Sequence, residues 1–182
     1  SALLSGVMIK TGIYGLMRSF LWLIPAEAAD AYPSEIWGLV IAVLATATLF
    51  IGTTQALGQD ETKRLLAFHS IGQVGYILLP LGACLALIKP GRTEDAVLLL
   101  ATIGFSASLF HALNHGLFKS LLFLNAGSLL YATKTQELTQ MGGLIKYLPA
   151  TAVTALIGAF SISGVPLFNG FISKSMVVAA AG

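Results

Sequence analysis

Residues 96–132 read AVLLLATIGFSASLFHALNHGLFKSLLFLNAGSLLYA and contain one lysine, Lys119, with no arginine and no acidic residue. A helix needs about 20 apolar residues to cross the hydrocarbon core of a bilayer, so this run predicts a membrane helix that is tilted, kinked or extended beyond the lipid. The whole chain is 56% apolar and 10% charged, whereas a soluble domain is about 25% charged. The composition therefore predicts a polytopic all-α membrane protein and excludes a disordered or nucleic-acid-binding chain.

Four further apolar segments appear when the sequence is divided at its charged and its Pro- or Gly-containing stretches. The five predicted spans are about residues 1–24, 35–57, 65–88, 96–132 and 149–180. Polar connections are predicted at residues 25–34, 59–64, 89–95 and 133–147. Because the chain starts inside an apolar run without an initiator methionine or a signal peptide, we interpret residues 1–182 as one membrane domain and an interior fragment of a longer protein.

The last predicted span is interrupted by SGVPLFNG at residues 163–170. Pro166 removes a backbone donor and clashes with the preceding turn, while Gly164 and Gly170 loosen the chain on either side. A broken helix is one expectation, and its freed backbone groups would then face protein or a wet cavity. A simple proline kink is the alternative that the sequence leaves open.

Three lysines, Lys10, Lys119 and Lys174, lie inside the predicted spans, and each costs about 2.5 to 3.5 kcal/mol at the centre of a membrane helix. Intramembrane lysines are therefore candidates for function. Near a span end a lysine can instead extend its ammonium to the membrane surface, an alternative that suits Lys174 and fits Lys119 poorly. All eight acidic residues fall in loops or at span ends: Glu27, Asp30, Glu35, Asp60, Glu61, Glu94, Asp95 and Glu137.

The motif HALNHGLFK places His111, His115 and Lys119 four residues apart, and Ser108 extends the stripe. Residues at this interval share one helix face. Their separation of roughly 6 Å along the helix is too long for direct hydrogen bonds and suits transfer through one or two water molecules. Since histidine exchanges protons near neutral pH, the stripe predicts a proton relay.

Two other functions fit parts of this pattern. His111 and His115 have the spacing of metal ligands, but no carboxylate lies in any span to complete a zinc site, and we predict no metal site. Buried histidines also join helices through simple hydrogen bonds. A second stripe of His69, Gln73 and Tyr76 makes His69 a possible relay group, although a lone histidine beside a glutamine is usually structural.

Cys84 is the only cysteine, so this chain alone supplies no disulfide and no four-thiolate iron–sulfur or zinc site. We therefore predict no cofactor in this chain and expect any redox centre to lie in other subunits. Because the spans lack acids, each protonated lysine needs a partner from elsewhere. A buried carboxylate near Lys10, from the rest of the protein or from an adjoining subunit, is the corresponding hypothesis.

The sequence resembles the antiporter-like proton-translocating subunits of respiratory complex I, Mrp-type cation/proton antiporters and energy-converting membrane hydrogenases. The form HALNHGLFK is most similar to the hydrogenase-4 and formate-hydrogenlyase type. The motifs that carry the resemblance are LSGVMIKTGIYGLMR (4–18), QDETKRLLAFHSIGQVGY (59–76), HALNHGLFKSLLFLNAGS (111–128), MGGLIKYLP (141–149) and SGVPLFNGFISKSM (163–176).

In that family two inverted five-helix repeats each hold a broken helix and a half-channel, and this chain resembles the eighth to twelfth helices. The resemblance implies that Lys10 connects the half-channels and that Lys174 is the terminal lysine, although some relatives carry glutamate there. Gln73 stands where some relatives have histidine, which weakens the implied relay role of the third span. The central relay implied by resemblance consists of His111, His115 and Lys119.

The implied function is a proton-translocating membrane subunit of a respiratory or hydrogenase-type complex, which couples electron transfer in partner redox subunits to proton pumping. An Mrp-type Na⁺(K⁺)/H⁺ antiporter subunit is the alternative, and a non-conducting membrane anchor is a third possibility. The expected partners are other membrane subunits, the lipid bilayer and protons, with Na⁺ or K⁺ in the antiporter case. The resemblance places the protein in the prokaryotic cytoplasmic (inner) membrane.

Overall fold

The computed structural model describes residues 2–24, 31–88 and 94–181. Within these ranges the chain is almost entirely helical, and the only extended pairing is a single antiparallel bridge between Glu61 and Glu137. The predicted all-α fold is confirmed. The helices are α1 (Ile9–Arg18), α2 (Ser34–Leu57), α3 (Thr62–Leu87), α4 (Asp95–Thr133), α5 (Pro149–Ser163) and α6 (Asn169–Ala181).

Helices α2, α3 and α4 are the ones in the described ranges that are individually long and apolar enough to cross a membrane. Their bounds follow the predicted spans except at α3, which begins at Thr62 rather than at residue 65. Lys63 and Arg64, predicted from the sequence to lie in a polar connection, therefore belong to the first turn of α3. Charge does not end a helix, because lysine and arginine both have high helix propensity.

The predicted first span is helical but irregular. The α-helical segment α1 is flanked by π-helical turns at Leu4–Met8 and Ser19–Leu23. Such wider turns are rare, and they occur frequently near functional sites. Of the predicted connections at 25–34 and 89–95, residues 25–30 and 89–93 lie outside the described residues.

Helix α3 lies at the centre of the bundle, between α2 and α4. Glycines allow α2 and α3 to approach closely: a Cβ added at Gly52 would overlap the backbone of Gly72. Helix α4 contacts α3 and also α5, α6 and the π-helical turn that precedes α1. This arrangement brings one face of α4 against several helices at once. A buried apolar cluster of α1, α2 and α3 residues lies beside it: Ile13, Met17, Ile41, Ile77, Leu81 and Leu85.

The outer faces of the bundle are apolar. Val43 and Phe50 of α2 are each 68% exposed, as is Leu117 of α4. In water such a surface would favour aggregation, whereas in a bilayer it is covered by lipid or by neighbouring helices. The protein is membrane-embedded.

The interruption between α5 and α6 is a true break. Helix α5 ends at Ser163, Gly164 follows with φ of 78°, and α6 begins only at Asn169. Leu167 in the connection also has φ of 78°, a left-handed conformation that is uncommon for a leucine. Close packing of α5 and α6 also requires glycine at position 170, because a Cβ there would overlap the carbonyl group of Ser161. The broken helix is therefore correct, and the proline-kink alternative is wrong.

Candidate functional site

The polar stripe of α4 lies on the buried face of the helix. Leu113 and Leu117, which fall between the stripe residues, are 62% and 68% exposed on the opposite side. The α4 helix is thus polar towards the protein and apolar towards its surroundings. Four stripe residues are completely buried: Ser108, His111, His115 and Lys119.

His111 is held on both sides of its ring by neighbouring helices. Its Nε2 atom lies 3.1 Å from Oε1 of Gln73 on α3. Its Nδ1 atom lies 3.0 Å from Oγ of Ser173 on α6. One turn earlier, Ser108 donates a 2.6 Å hydrogen bond to the carbonyl of Ile77. His111 therefore links the long helix α4 to both α3 and the second half of the broken helix.

His115 lies next to His111 with its ring nearly parallel, at an interplanar angle of 13° and a centroid distance of 6.4 Å. The edge of Phe118 covers the His115 ring at 5.5 Å. Neither ring nitrogen of His115 has a hydrogen-bond partner among the described residues. Since buried polar groups are nearly always hydrogen-bonded to protein or water, His115 has capacity for two further polar contacts.

Lys119 is fully buried. Its Nζ atom has no hydrogen-bond partner in the part of the chain that the structure describes. Its Nζ atom lies 5.8 Å from the centroid of the Phe123 ring, which offers a weak favourable contact. A buried ammonium left in this state is costly. Of the three lysines predicted to lie within spans, this one has the fewest contacts that compensate its charge.

Lys174 lies at the break between α5 and α6, where it is half-buried. It donates a 2.6 Å hydrogen bond to the carbonyl of Ile162 in the last turn of α5. Its Nζ atom also lies 4.8 Å from the ring centroid of Tyr76, and that ring is 5.8 Å from the ring of His111. Tyr76 thus lies between the central histidine and the lysine of the broken helix.

Lys10 lies at the other side of the site, on α1. Its Nζ atom donates a 2.7 Å hydrogen bond to the carbonyl of Ser5 in the π-helical turn. Lys10 also lines a cavity of about 450 Å³ between α1 and α4, together with Gly116 and Ser120. It is close enough to Lys119 for the two charges to repel each other. The fold therefore brings Lys10, Lys119 and Lys174 within electrostatic range of His111 or His115.

His69 on α3 is half-buried, and its Nδ1 atom has no hydrogen-bond partner among the described residues. It lies within electrostatic range of Lys119 and Lys174. The described residues contain no cluster of three or more His, Cys, Asp or Glu side chains able to hold a metal ion. Both ring nitrogens of His111 already have hydrogen-bond partners. Of the two histidines, His115 is therefore the one whose ring nitrogens are available to a further ligand or to water.

Several residues that structure the site carry little signal in the sequence. Gln73 was expected to weaken the role of α3, yet it bonds directly to His111. Nothing in the sequence distinguishes Ser173, although it immediately precedes Lys174 on a helix that faces α4. Asn114 of α4 and Asn169, the first residue of α6, also pair: Asn114 Nδ2 donates to the Asn169 carbonyl at 3.0 Å, and Asn169 Nδ2 donates to Asn114 Oδ1 at 3.2 Å. Only the packing of α3, α4 and α6 identifies these contacts.

Residues 1–89 and 95–181 match the model of a protein family described as NADH:quinone oxidoreductase/Mrp antiporter, transmembrane region. The chain belongs to this family. It is 38% identical over 174 residues to hydrogenase-4 component B of Escherichia coli, with 96% of this chain and 25% of the relative covered. It is 34% identical over 180 residues to formate hydrogenlyase subunit 3 of the same organism, with 97% and 27% covered.

Another relative of this antiporter-like chain is a Na⁺/H⁺ antiporter subunit of Bacillus subtilis, 35% identical over 172 residues, with 94% of this chain and 20% of the relative covered. The chain thus spans between a fifth and just over a quarter of the length of these relatives. The comparisons confirm the resemblance found in the sequence. The protein is a membrane antiporter-like subunit, and its relatives are subunits of larger bacterial membrane assemblies.

Proposed function

We propose that this antiporter-like subunit moves protons across the membrane through a relay of buried lysines and histidines. The relay groups are Lys10, Lys119, His115, His111 and Lys174, with His69 as a possible additional group. The observation that carries the proposal is the burial of Lys119 and His115, whose side-chain nitrogens have no protein partner among the described residues.

Water is the natural partner for these nitrogens. A polar, enclosed site with several unmatched donors and acceptors retains water, because the cost of leaving buried polar groups unpaired exceeds the entropic cost of immobilising water. The 6.4 Å spacing of the two histidine rings also matches a bridge through water better than a direct contact. Ordered water between these groups would complete a conducting path.

The two ends of the path differ in their surroundings. At one end Lys10 and Lys119 carry like charges within electrostatic range, so a proton on one opposes a proton on the other. At the other end Tyr76 and the Ile162 carbonyl stabilise an ammonium at Lys174. These contacts favour an ammonium at Lys174 over simultaneous charges on Lys10 and Lys119, which supports transfer of a proton towards Lys174.

Moving a proton against 100 mV costs about 2.3 kcal/mol, so the movement needs an external source of energy. Relatives named as components of hydrogenase-4 and formate hydrogenlyase support redox subunits as that source. In this proposal partner subunits carry out electron transfer and this chain conducts protons. Prokaryotic redox assemblies of this class would hold it in the cytoplasmic membrane.

A second candidate function is exchange of Na⁺ or K⁺ for protons. The observation that favours it is the 35% identity to the Na⁺/H⁺ antiporter subunit of Bacillus subtilis. The two functions use the same lysine and histidine relay and differ in whether a metal cation or electron transfer provides the energy. Exchange predicts that proton movement in vesicles requires Na⁺ or K⁺ and proceeds without an electron donor. That result would support exchange over redox-driven pumping.

The deciding experiment replaces Lys119 by alanine in the full-length subunit within its membrane complex. Proton transport in vesicles should fall to background, while co-purification of the other subunits persists. Lys146→Ala, which removes an exposed lysine in the connection before α5, is the matched control and should retain transport. Unchanged transport by Lys119→Ala would instead support a non-conducting anchor.

A further inference from the structure

His111 differs from His115 in having both ring nitrogens engaged by protein groups. The partner of Nε2 is the amide oxygen of Gln73 at 3.1 Å, and the partner of Nδ1 is the hydroxyl of Ser173 at 3.0 Å. An amide oxygen only accepts hydrogen bonds. The hydrogen of the neutral His111 ring is therefore on Nε2, and Nδ1 is bare and accepts from Ser173.

Ser173 can satisfy His111 in both of its protonation states. Its Oγ atom lies 3.2 Å from the carbonyl oxygen of Gly170, in the first turn of α6. When His111 is neutral, the hydroxyl donates to Nδ1. When His111 is protonated, Nδ1–H donates to Oγ, and the hydroxyl turns to donate to the Gly170 carbonyl. No polar group of this unit is left unpaired in either state.

We propose that Gln73 and Ser173 are positioning residues that fix the tautomer of His111, so that His111 gains and loses its proton at Nδ1 through Ser173. In the uptake step a protonated water gives a proton to Oγ of Ser173 while the original hydroxyl proton passes to Nδ1. One O–H bond forms on Ser173 as another breaks, one N–H bond forms on His111, and neutral water is left. Release follows the same steps in reverse.

The Nε2 side of His111 is closed to transfer in this arrangement. The proton on Nε2 faces an amide oxygen, which is a weak base and passes no proton onward. The ring of His115 lies nearly parallel at 6.4 Å, so the in-plane nitrogens of the two histidines do not point at each other. A proton that travels between His115 and His111 must therefore use the Ser173 side of the ring or wait for the Gln73 hydrogen bond to break.

The positioning of His111 is tested by nitrogen-15 NMR of labelled histidine in the full-length subunit reconstituted in lipid. At a pH of about 8.5, above the ordinary histidine pKa of about 6.5, the His111 signals should show a protonated Nε2 and a bare Nδ1. Gln73→Leu should remove this pattern in favour of a protonated Nδ1, because Ser173 then offers the remaining acceptor. Gln73→Glu, which keeps an acceptor oxygen, should restore the protonated Nε2.

The transport role is tested in the intact membrane complex, reconstituted in lipid vesicles. Ser173→Ala should keep the protonated Nε2 and lower the proton transport rate about 5- to 30-fold, the factor that corresponds to losing one hydrogen-bonded contact. Ser173→Thr, which retains a hydroxyl, should recover most of the rate. The matched control is Ser175→Ala, because Ser175 lies on the exposed side of α6 and, among the described residues, its hydroxyl bonds only the Phe171 carbonyl.

This inference rests on the proposed proton relay, and the two can fail separately. A wild-type His111 with its hydrogen on Nδ1 would overturn the assignment of the tautomer. Normal transport by Ser173→Ala, in a complex where Lys119→Ala abolishes transport, would overturn the Ser173 route and leave the relay standing. Normal transport by Lys119→Ala would overturn the proposed function itself.

Discussion

The side chain of Lys174 donates a 2.6 Å hydrogen bond to the backbone carbonyl of Ile162 across the break between α5 and α6. Helix ends within a membrane leave carbonyl groups that water cannot reach, and each must find another donor. Here the donor is a lysine from the second half of the same broken helix. The contact makes Lys174 both a part of the fold and a candidate proton carrier.

These two roles of Lys174 can be separated by substitution. Lys174→Ala should lower the free energy of unfolding by about 1.5 to 3 kcal/mol, the usual contribution of a hydrogen bond to a charged group, and should abolish proton transport. Lys174→Gln keeps a donor near Ile162 and should recover much of the stability without recovering transport. Thermal unfolding in detergent and transport in vesicles measure the two effects. Full transport by Lys174→Gln would show that Lys174 only supports the fold.

Gly170 should be among the positions of α6 least tolerant of a larger side chain. Gly170→Ala would place a Cβ against the carbonyl group of Ser161, and the forced separation of α5 and α6 should cost at least about 1 to 3 kcal/mol. Gly127→Ala in α4 is the control, because a Cβ there meets nothing within 4 Å. Alanine also has a higher helix propensity than glycine, so this change should not lower the stability. Comparable melting temperatures for the two variants would contradict the close crossing.

Asn114 and Asn169 should be energetically coupled, since they exchange two hydrogen bonds between α4 and the start of α6. In a double-mutant cycle of Asn114→Ala and Asn169→Ala, the coupling energy should be about 0.5 to 3 kcal/mol. The Asn114 side chain also bonds the Asn169 backbone, so Asn114→Ala should be the more destabilising single change. Strictly additive losses of stability would indicate that the pair does not hold α6 against α4.

His115 should contribute more to transport than His69. Replacing His115 by leucine removes two unpaired nitrogens from the centre of the α4 face, and transport should fall at least about tenfold, or about 1.4 kcal/mol in barrier height. His69→Leu should cause a smaller loss, because His69 is a half-buried group outside the α4 stripe. Initial rates of proton uptake in vesicles, normalised to the amount of assembled complex, provide the comparison. A larger loss of transport in His69→Leu would show that His69 contributes more to transport than His115.

Much of the fold was predictable because membrane helices are governed by short-range rules. Length, apolarity and the absence of acids indicated α2, α3 and α4 within a few residues, and Pro166 with its flanking glycines marked the position of the break. The start of α3 was misplaced because charged residues continue a helix as readily as they end one. The choice between kink and break was not predictable, because the break is accompanied by a close approach of Gly170 to the Ser161 carbonyl group that local sequence does not reveal.

The sequence by itself determined that the protein is an α-helical membrane protein and that Ser108, His111, His115 and Lys119 share one helix face, because helical periodicity depends only on residue spacing. Tertiary structure decided which face of α4 is buried and which groups meet it. Gln73, Tyr76 and Ser173 reach His111 or Lys174 from other helices, and such neighbours depend on how close-packed surfaces fit together. The hydrogen bonds of His111, and the lack of a hydrogen-bond partner for Lys119 among the described residues, are therefore properties of the assembled bundle.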